Sequence, residues 1–476
     1  MHTQYAAANV DSLVAHHLDH FSRIKNISAL KKFHAHLLRT GLFFFSTNLQ
    51  SKLIFSYTNC IHITHSITLT NFFNYINPAS PLPFNFILSH FCKHGFYSLA
   101  VQTCSFMHFR DVGIDTYAVC SSLTASSCIK DANFGKLMHA HVEKSGFGSS
   151  VFVGSALVHY YVKLLLFSDA ASMFDQIPVK NTWCVNALLS GYGEGKMWGE
   201  GLKLVQGLPR LGLSCDNFTL TSALQACAGQ CRIKLGREVH AKILRTVCDV
   251  EDDVYLQSGL VEMYGKCGLI EKAWQVFSMV GYEREGKRIR DVVLWTSMLG
   301  VYGRNGSHKD VILLFQEMLM EGIRPDEVAL ITVLSACSHT GQVDLGIEYF
   351  KFMKSSGLSL LPEHYSCLVD LFCRAGELDK AWTLIDDIPH YENVRFTVSL
   401  WGALLSACSD YGNVSLGKLA AQRALELDPQ NVGIYVLLSN MYARHQMWKE
   451  TDDLRDFIKD TGLKKDVGTS RIEVTN

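Results

Sequence analysis

Short stretches of this chain recur at a fixed step, and that step limits what the chain can fold into. His34-Ala35-His36 returns as His139-Ala140-His141 and again as His240-Ala241, 105 and 101 residues apart. Ser155-Ala156-Leu157-Val158 is echoed by Ser258-Gly259-Leu260-Val261. Ala226-Cys227, Ala336-Cys337 and Ala407-Cys408 sit in similar apolar contexts. A super-period near a hundred residues that divides into three excludes the two to four unrelated globular domains expected from length. It requires stacked units instead.

One unit shows the design. In Val292–Asp326, Trp295, Met298, Leu299 and Tyr302 fall at i, i+3, i+4 and i+7, one apolar face of a helix. Gly303-Arg304-Asn305-Gly306 reads as a turn. Val311, Leu314, Phe315 and Met318 repeat the spacing for a second helix, Gly322 stops it, and Pro325-Asp326 leads onward. Helices of about three turns are marginal alone, so each hairpin must lay its stripe on the next. The same pattern places units at 11–46, 47–80, 81–115, 116–150, 151–181, 182–216, 217–253, 254–291, 292–326, 327–361 and 362–397. Two hairpin-like units follow at 398–431 and 432 to about 466. A charged, Gly-containing insertion around 283–288 reads as a surface loop. The expected fold is all-α: a right-handed α-solenoid superhelix of helix-turn-helix repeats. Its expected segments are 1–10, a solenoid at 11–397 and an extension at 398–474.

Composition agrees. Apolar residues make up 48% and charged residues 19%, enough to bury a large core and to exclude long-range disorder. The net charge of -1 excludes a polycation that holds nucleic acid by bulk electrostatics. Gly41–Phe45 and Leu164–Phe167 are too short to span a membrane, and no membrane partner is expected. Fifteen cysteines without close pairs read as buried thiols rather than a disulfide framework. The first ten residues hold no Arg or Lys, and no secretory signal is present.

At this point the chain resembles a known family. Leu294-Trp295-Thr296-Ser297-Met298-Leu299, Leu314-Phe315-Gln316-Glu317-Met318, Gly322-Ile323-Arg324-Pro325-Asp326 and Tyr365-Ser366-Cys367-Leu368-Val369-Asp370 are similar to stretches of plant pentatricopeptide repeat proteins. The long/short alternation of unit lengths resembles one class of that family. Leu400-Trp401-Gly402-Ala403-Leu404-Leu405, Leu427-Asp428-Pro429 and Gly468-Thr469-Ser470-Arg471-Ile472-Glu473-Val474 resemble its C-terminal E-type extension. The deaminase domain with an Asp-Tyr-Trp ending, carried by some relatives, is not seen in the sequence.

No catalytic constellation is found, and an enzyme is not expected. His141-Val142-Glu143 matches half of a zinc-deaminase motif, but a Cys-x-x-Cys is missing. Cys227 and Cys231 read as packed thiols, not zinc ligands. Histidines 34, 139 and 240 recur at one repeat position, which suits packing rather than catalysis. No metal and no cofactor is expected.

Binding is better supported. Helical repeats that read RNA present a few side chains to each base. The resemblance assigns base reading to the fifth and last residues of a unit. Here these are Asn85 with Asp115, Ser155 with Asn181, Asn186 with Asp216, Ser258 with Asp291, and Thr296 with Asp326. By the family's pattern they imply U, A, U, G and G. The middle units carry Cys120, Thr221 and Ile331 and are left open. The implied target is U-x-A-U-x-G-G-x. Second residues Leu82, Phe152, Trp183, Tyr255 and Val293 would wedge between bases. The bland reading stands beside this: an Asp before a helix is a good N-cap with or without RNA. The resemblance implies an adaptor for single-stranded organellar RNA, in the mitochondrion before the chloroplast. Its expected task is site choice for C-to-U editing, with a deaminase-bearing or editing-complex protein recruited through 398–474. The alternatives are a splicing or stability factor, and a tetratricopeptide-like protein scaffold.

Overall fold

The computed structural model describes residues 26–41, 47–60, 81–247, 253–279, 290–388 and 394–461, with isolated positions between 14 and 23. The N-terminal segment 1–10, the insertion at 283–288 and the closing stretch 468–474 lie outside the described residues. Among the described residues every regular element is a helix.

The chain forms two compact units, 1–230 and 231–476. The first holds α1 (Ile27–Arg39), α2 (Thr47–Cys60), α3 (Leu82–Lys93), α4 (Tyr97–Phe109), α5 (Thr116–Ile129), α6 (Ala132–Ser145), α7 (Val151–Lys163), α8 (Phe167–Gln176), α9 (Thr182–Glu194), α10 (Trp198–Gly207) and α11 (Asn217–Gly229). The second opens on α12 (Ile233–Thr246), α13 (Val254–Lys266), α14 (Ile270–Met279), α15 (Val292–Arg304), α16 (His308–Met320), α17 (Glu327–Thr340) and α18 (Val343–Ser355). It continues with α19 (Pro362–Ala375), α20 (Leu378–Asp386), α21 (Val394–Tyr411), α22 (Val414–Leu427), α23 (Val432–Arg444) and α24 (Trp448–Asp460). Each unit is a stretch of α-solenoid. First helices pack on their own partners and on the first helices of neighbouring hairpins: α7 touches α5, α6, α8 and α9, and α17 touches α15, α16, α18 and α19.

The apolar stripes read from sequence are buried except at Tyr302, which is half-buried. On α15–α16, Trp295, Met298, Leu299, Val311, Leu314, Phe315 and Met318 are all buried. Each such side chain contributes roughly 1.5–3 kcal/mol on burial, which a lone three-turn helix lacks. One detail differs from the expected turn at 303–306. The helix runs on through Gly303 and Arg304, and the chain reverses at Asn305–Gly306, where Gly306 takes a positive φ of 76°. Gly303 stays helical where α17 comes close: a Cβ there would lie 3.3 Å from the Thr332 methyl.

Two recurrences couple neighbouring hairpins. The first is the histidine. His34, His139 and His240 place Nδ1 3.2, 2.7 and 2.8 Å from the hydroxyls of Tyr57, Tyr161 and Tyr264. Each pair is edge-to-face, with ring centroids 5.7–5.8 Å apart. These histidines pack, as their spacing suggests. The second was not read from sequence. The fourth residue of α6, α12, α18 and α22 is glycine: Gly135, Gly236, Gly346 and Gly417. A Cβ on Gly135 would stand 2.1 Å from the Tyr160 ring, and one on Gly236 would stand 2.5 Å from Met263 Sδ. The glycine admits a bulky side chain from the next first helix.

Three half-buried histidines make stability pH-dependent. Burial pulls His34 and His240 below the ordinary imidazole value. At His90, burial first, then the charges of His94 and Lys93, bring it to about 4. The folded chain therefore binds fewer protons than the unfolded chain between the ordinary value of about 6.5 and about 4. Stability is complete above that window and falls as pH drops through it. The urea midpoint should be lower at pH 5 than at pH 7.5; a midpoint that holds or rises on acidification would contradict this.

Candidate functional site

Helix N-caps set the site's geometry. Asp115, Asn181, Asp216, Asp291 and Asp326 each end a unit and cap the next first helix, α5, α9, α11, α15 and α17. Each accepts a backbone N–H of the first turn, satisfying a donor that the helix leaves open. An Asp has a second oxygen, and thirty residues back lies the fifth residue of the unit that it ends.

In three pairs the two residues meet. Asn85 Nδ2 donates to Asp115 Oδ2 at 2.7 Å while Asp115 Oδ1 accepts from the Ala118 amide. Asn186 Nδ2 donates to Asp216 Oδ2 at 2.9 Å while Asp216 Oδ1 accepts from the Thr219 amide. The Thr296 hydroxyl donates to Asp326 Oδ1 at 3.1 Å, the same oxygen that caps α17. Capping and pairing are therefore simultaneous, not alternatives. Burial pushes the Asp216 carboxyl up, but hydrogen bonds from Thr219 and Asn186 outweigh it and hold it below the ordinary carboxylate value.

The other two pairs are not joined. The Ser155 hydroxyl donates to the Val151 carbonyl at 2.7 Å and the Ser258 hydroxyl to the Tyr255 carbonyl at 3.1 Å. Serine here bonds back to its own helix. Asn181 and Asp291 remain as caps, accepting from the Cys184 and Leu294 amides at 3.0 and 3.1 Å.

Pinning the amide has a chemical consequence. With Nδ2 on the carboxylate, the carbonyl oxygens Asn85 Oδ1 and Asn186 Oδ1 are left without a hydrogen-bond partner. Both oxygens are buried, so an acceptor beside an N–H would meet a ring edge offering a donor beside an acceptor only once the amide is uncovered.

Flat apolar groups flank these pairs. Phe152, Trp183 and Tyr255 are 79%, 81% and 73% exposed, one turn N-terminal to Ser155, Asn186 and Ser258, and Val293 is exposed at the same register. The helix backbone of α3 is described at Leu82, but its side chain lies outside the described residues. Sequence reading passed over Tyr117, Phe218 and Val328, which are exposed in the middle units. They hold the second position too, so register alone would have found them. At the open fifth positions, Cys120, Thr221 and Ile331 are half-buried; burial, then the Asp115 charge, pushes the Cys120 thiol up to about 11.

Among the described residues, no group of three or more His, Cys, Asp or Glu could hold a metal ion. No described helix is long and apolar enough to cross a membrane. Cys227 is buried and Cys231 is exposed.

Stacked helical hairpins that present a recurring polar pair and an exposed planar residue define a helical repeat protein. Family comparison narrows this. The PPR repeat family matches residues 290–339, a PPR repeat matches 258–280, a pentatricopeptide repeat-containing protein family matches 327–399, and the E motif matches 411–473. A mitochondrial pentatricopeptide repeat-containing protein of Arabidopsis thaliana is 32% identical over 389 residues, covering 82% of this chain and 59% of its own length. Another pentatricopeptide repeat-containing protein of that plant, named as putative, is 32% identical over 456 residues, 94% of this chain and 64% of its own. The maize pentatricopeptide repeat protein PPR10 superposes with a TM-score of 0.69 at 16% identity, over 95% of this chain and 69% of that one. The chain belongs to the pentatricopeptide repeat proteins and carries an E motif. It spans 39% to 64% of the length of eight similar curated relatives.

Proposed function

We propose that this chain is an adaptor that reads single-stranded RNA in a plant organelle and selects sites for processing, with C-to-U editing as the outcome. The observation that carries the reading is the bonded pair beside an exposed planar residue, above all Trp183 with Asn186–Asp216. A planar base stacked on Trp183 would bring its edge to the Asn186–Asp216 pair, whose Asn186 oxygen is unpartnered but buried, so a side-chain shift would have to uncover it. Uracil offers N3–H between two carbonyls, which complements an acceptor beside an N–H. The PPR10 structure that shares this fold is also known as a complex with an 18-nt RNA element, and two of the Arabidopsis relatives are named as mitochondrial. These support an organellar RNA ligand, the mitochondrion before the chloroplast.

The extension supplies the recruiting face. Trp401 is buried there against Trp382, with ring centroids 4.7 Å apart, while Trp448 and Phe457 of α24 are exposed. Nine residues put these rings on opposite sides of α24, and Phe457 packs on Tyr435 with ring centroids 5.4 Å apart, so Trp448 is the ring offered to a protein partner. On this reading a deaminase-bearing or editing-complex protein docks at 398–474 and performs the zinc-dependent hydrolysis.

The test is a swap of the code. Purified protein would be titrated with an RNA carrying U-x-A-U-x-G-G and with a copy whose two G positions are pyrimidines. Thr296→Asn and Ser258→Asn should move preference toward the pyrimidine copy, each by about 1–3 kcal/mol, the worth of a good base-edge contact. Equal affinity for both RNAs, in wild type and variants alike, would sink base reading.

A further inference from the structure

The face that carries the second and fifth residues also carries a charged row. Positions nine and thirteen of a first helix return to the side of position two, because 7 and 11 residues are close to two and three turns. In the first compact unit this row includes Lys163 on α7 and Glu194 on α9. In the second it includes Glu262 and Lys266 on α13, Arg304 on α15, and Asp370 and Arg374 on α19. Every base in this set is already engaged by an acid. Lys163 Nζ lies 2.7 Å from Glu194 Oε1. Glu262 holds two cations, Lys266 Nζ at 3.0 Å through Oε1 and Arg304 at 3.3 Å through Oε2. Arg374 Nε lies 2.8 Å from Asp370 Oδ2. The Lys163–Glu194 and Arg304–Glu262 pairs each run between adjacent first helices within their own compact unit, so a strand crossing those helices at this register would pass the carboxylates. Arg304 also folds back over Gly300, whose Cβ would stand 3.1 Å from the guanidinium.

We infer that Glu194 and Glu262 are affinity-lowering residues: they hold Lys163, Lys266 and Arg304 in carboxylate contacts that an RNA phosphodiester must displace. The inference rests on the RNA reading proposed above. Its physics is exchange. A phosphate that replaces a carboxylate gains little Coulomb energy, and a base that is already neutralised leaves few counterions to be released. Affinity then depends on stacking and base edges, which raises the share of binding that carries sequence information. These ion pairs are 30–43% exposed, and pairs so placed contribute little to folding. Glu→Gln keeps the side chain's shape and removes its charge, so fold and competition can be separated.

The experiment uses the full chain as wild type, as the double variant Glu194→Gln with Glu262→Gln, and as Arg304→Gln. The probes are the U-x-A-U-x-G-G RNA and a heparin oligosaccharide, a polyanion with no bases, titrated between about 50 and about 200 mM salt. Melting curves report folding. The double variant removes two negative charges, so its log K against log salt slope on the RNA should steepen by about 1.4. Its affinity at about 50 mM should rise roughly tenfold, and heparin should follow. Arg304→Gln in the otherwise wild-type chain should lower either affinity only about two- to threefold, because Glu262 shares its one negative charge between Lys266 and Arg304 and leaves a single net positive charge to lose. Unchanged slopes in the folded double variant, or a large loss with Arg304→Gln, would overturn the inference. Steeper heparin binding together with indifference to RNA sequence would support it and remove base reading alone. Sequence-specific RNA binding with unchanged slopes would do the reverse.

Discussion

Truncating Phe152 and Trp183 together to alanine is expected to remove most RNA affinity and to leave the fold intact. The rings are 79% and 81% exposed, so their loss opens no cavity. A base stacked on an aromatic ring is worth about 1–3 kcal/mol, or roughly 5- to 150-fold in affinity for each ring. The two rings flank the same unit, and one base would contact both, so the losses should fall short of additive. A 100-fold loss is the central expectation. Fluorescence anisotropy with the U-x-A-U-x-G-G RNA measures it, and circular dichroism checks the fold. Affinity within twofold of wild type, in a folded variant, would mean that the exposed rings are not the stacking surface.

Trp295→Ala should do the opposite. This tryptophan is fully buried two residues after exposed Val293. Its ring meets Phe277 edge-to-face at 5.1 Å, and the Arg290 guanidinium lies over the same cluster, 4.6 Å from the Phe277 ring. Deleting a buried aromatic leaves a cavity as well as lost transfer energy, about 3–5 kcal/mol together. Stability in a repeat array is set by each hairpin and its neighbours, so the damage should centre on α15–α16 and spread outward. Hydrogen exchange would show protection lost first at Met298, Leu299, Leu314 and Phe315. Exchange that rises equally everywhere would show instead that the second compact unit unfolds as one body. RNA affinity measured well below the melting point should change less than in the Phe152/Trp183 variant.

The contrast between these residues explains how much could be read before any fold was known. Trp183 opens α9 at position two, and Trp295 stands at position four of α15. Helical periodicity turns position two outward and position four inward, so their fates follow from register. Asp115, Asp216 and Asp326 were legible as caps from their place before apolar-periodic runs. Their second task was legible only through resemblance to a family, because the partner side chain lies thirty residues back along the chain. Periodicity was also enough to predict exposure of Tyr117, Phe218 and Val328, once the wedge register is carried through the middle units.

Other features had no local signature. Nothing about Gly135 or Gly236 in their own helices requires a glycine; the requirement comes from Tyr160 and Met263 on the next hairpin. Thr296 and Ser258 offer the same hydroxyl at the same register, yet one reaches an Asp and the other turns back to its own helix. The acids that cover Lys163 and Arg304 lie 31 and 42 residues away along the chain. Order, period, helical type and the inward face of each helix are local properties, written in side-chain spacing within a few turns, and a chain states them directly. Which amide is pinned, which hydroxyl is spent and which cation is covered depend on rotamers chosen when one hairpin is laid against the next. Those choices are made by packing between units, so only the folded structure decides them.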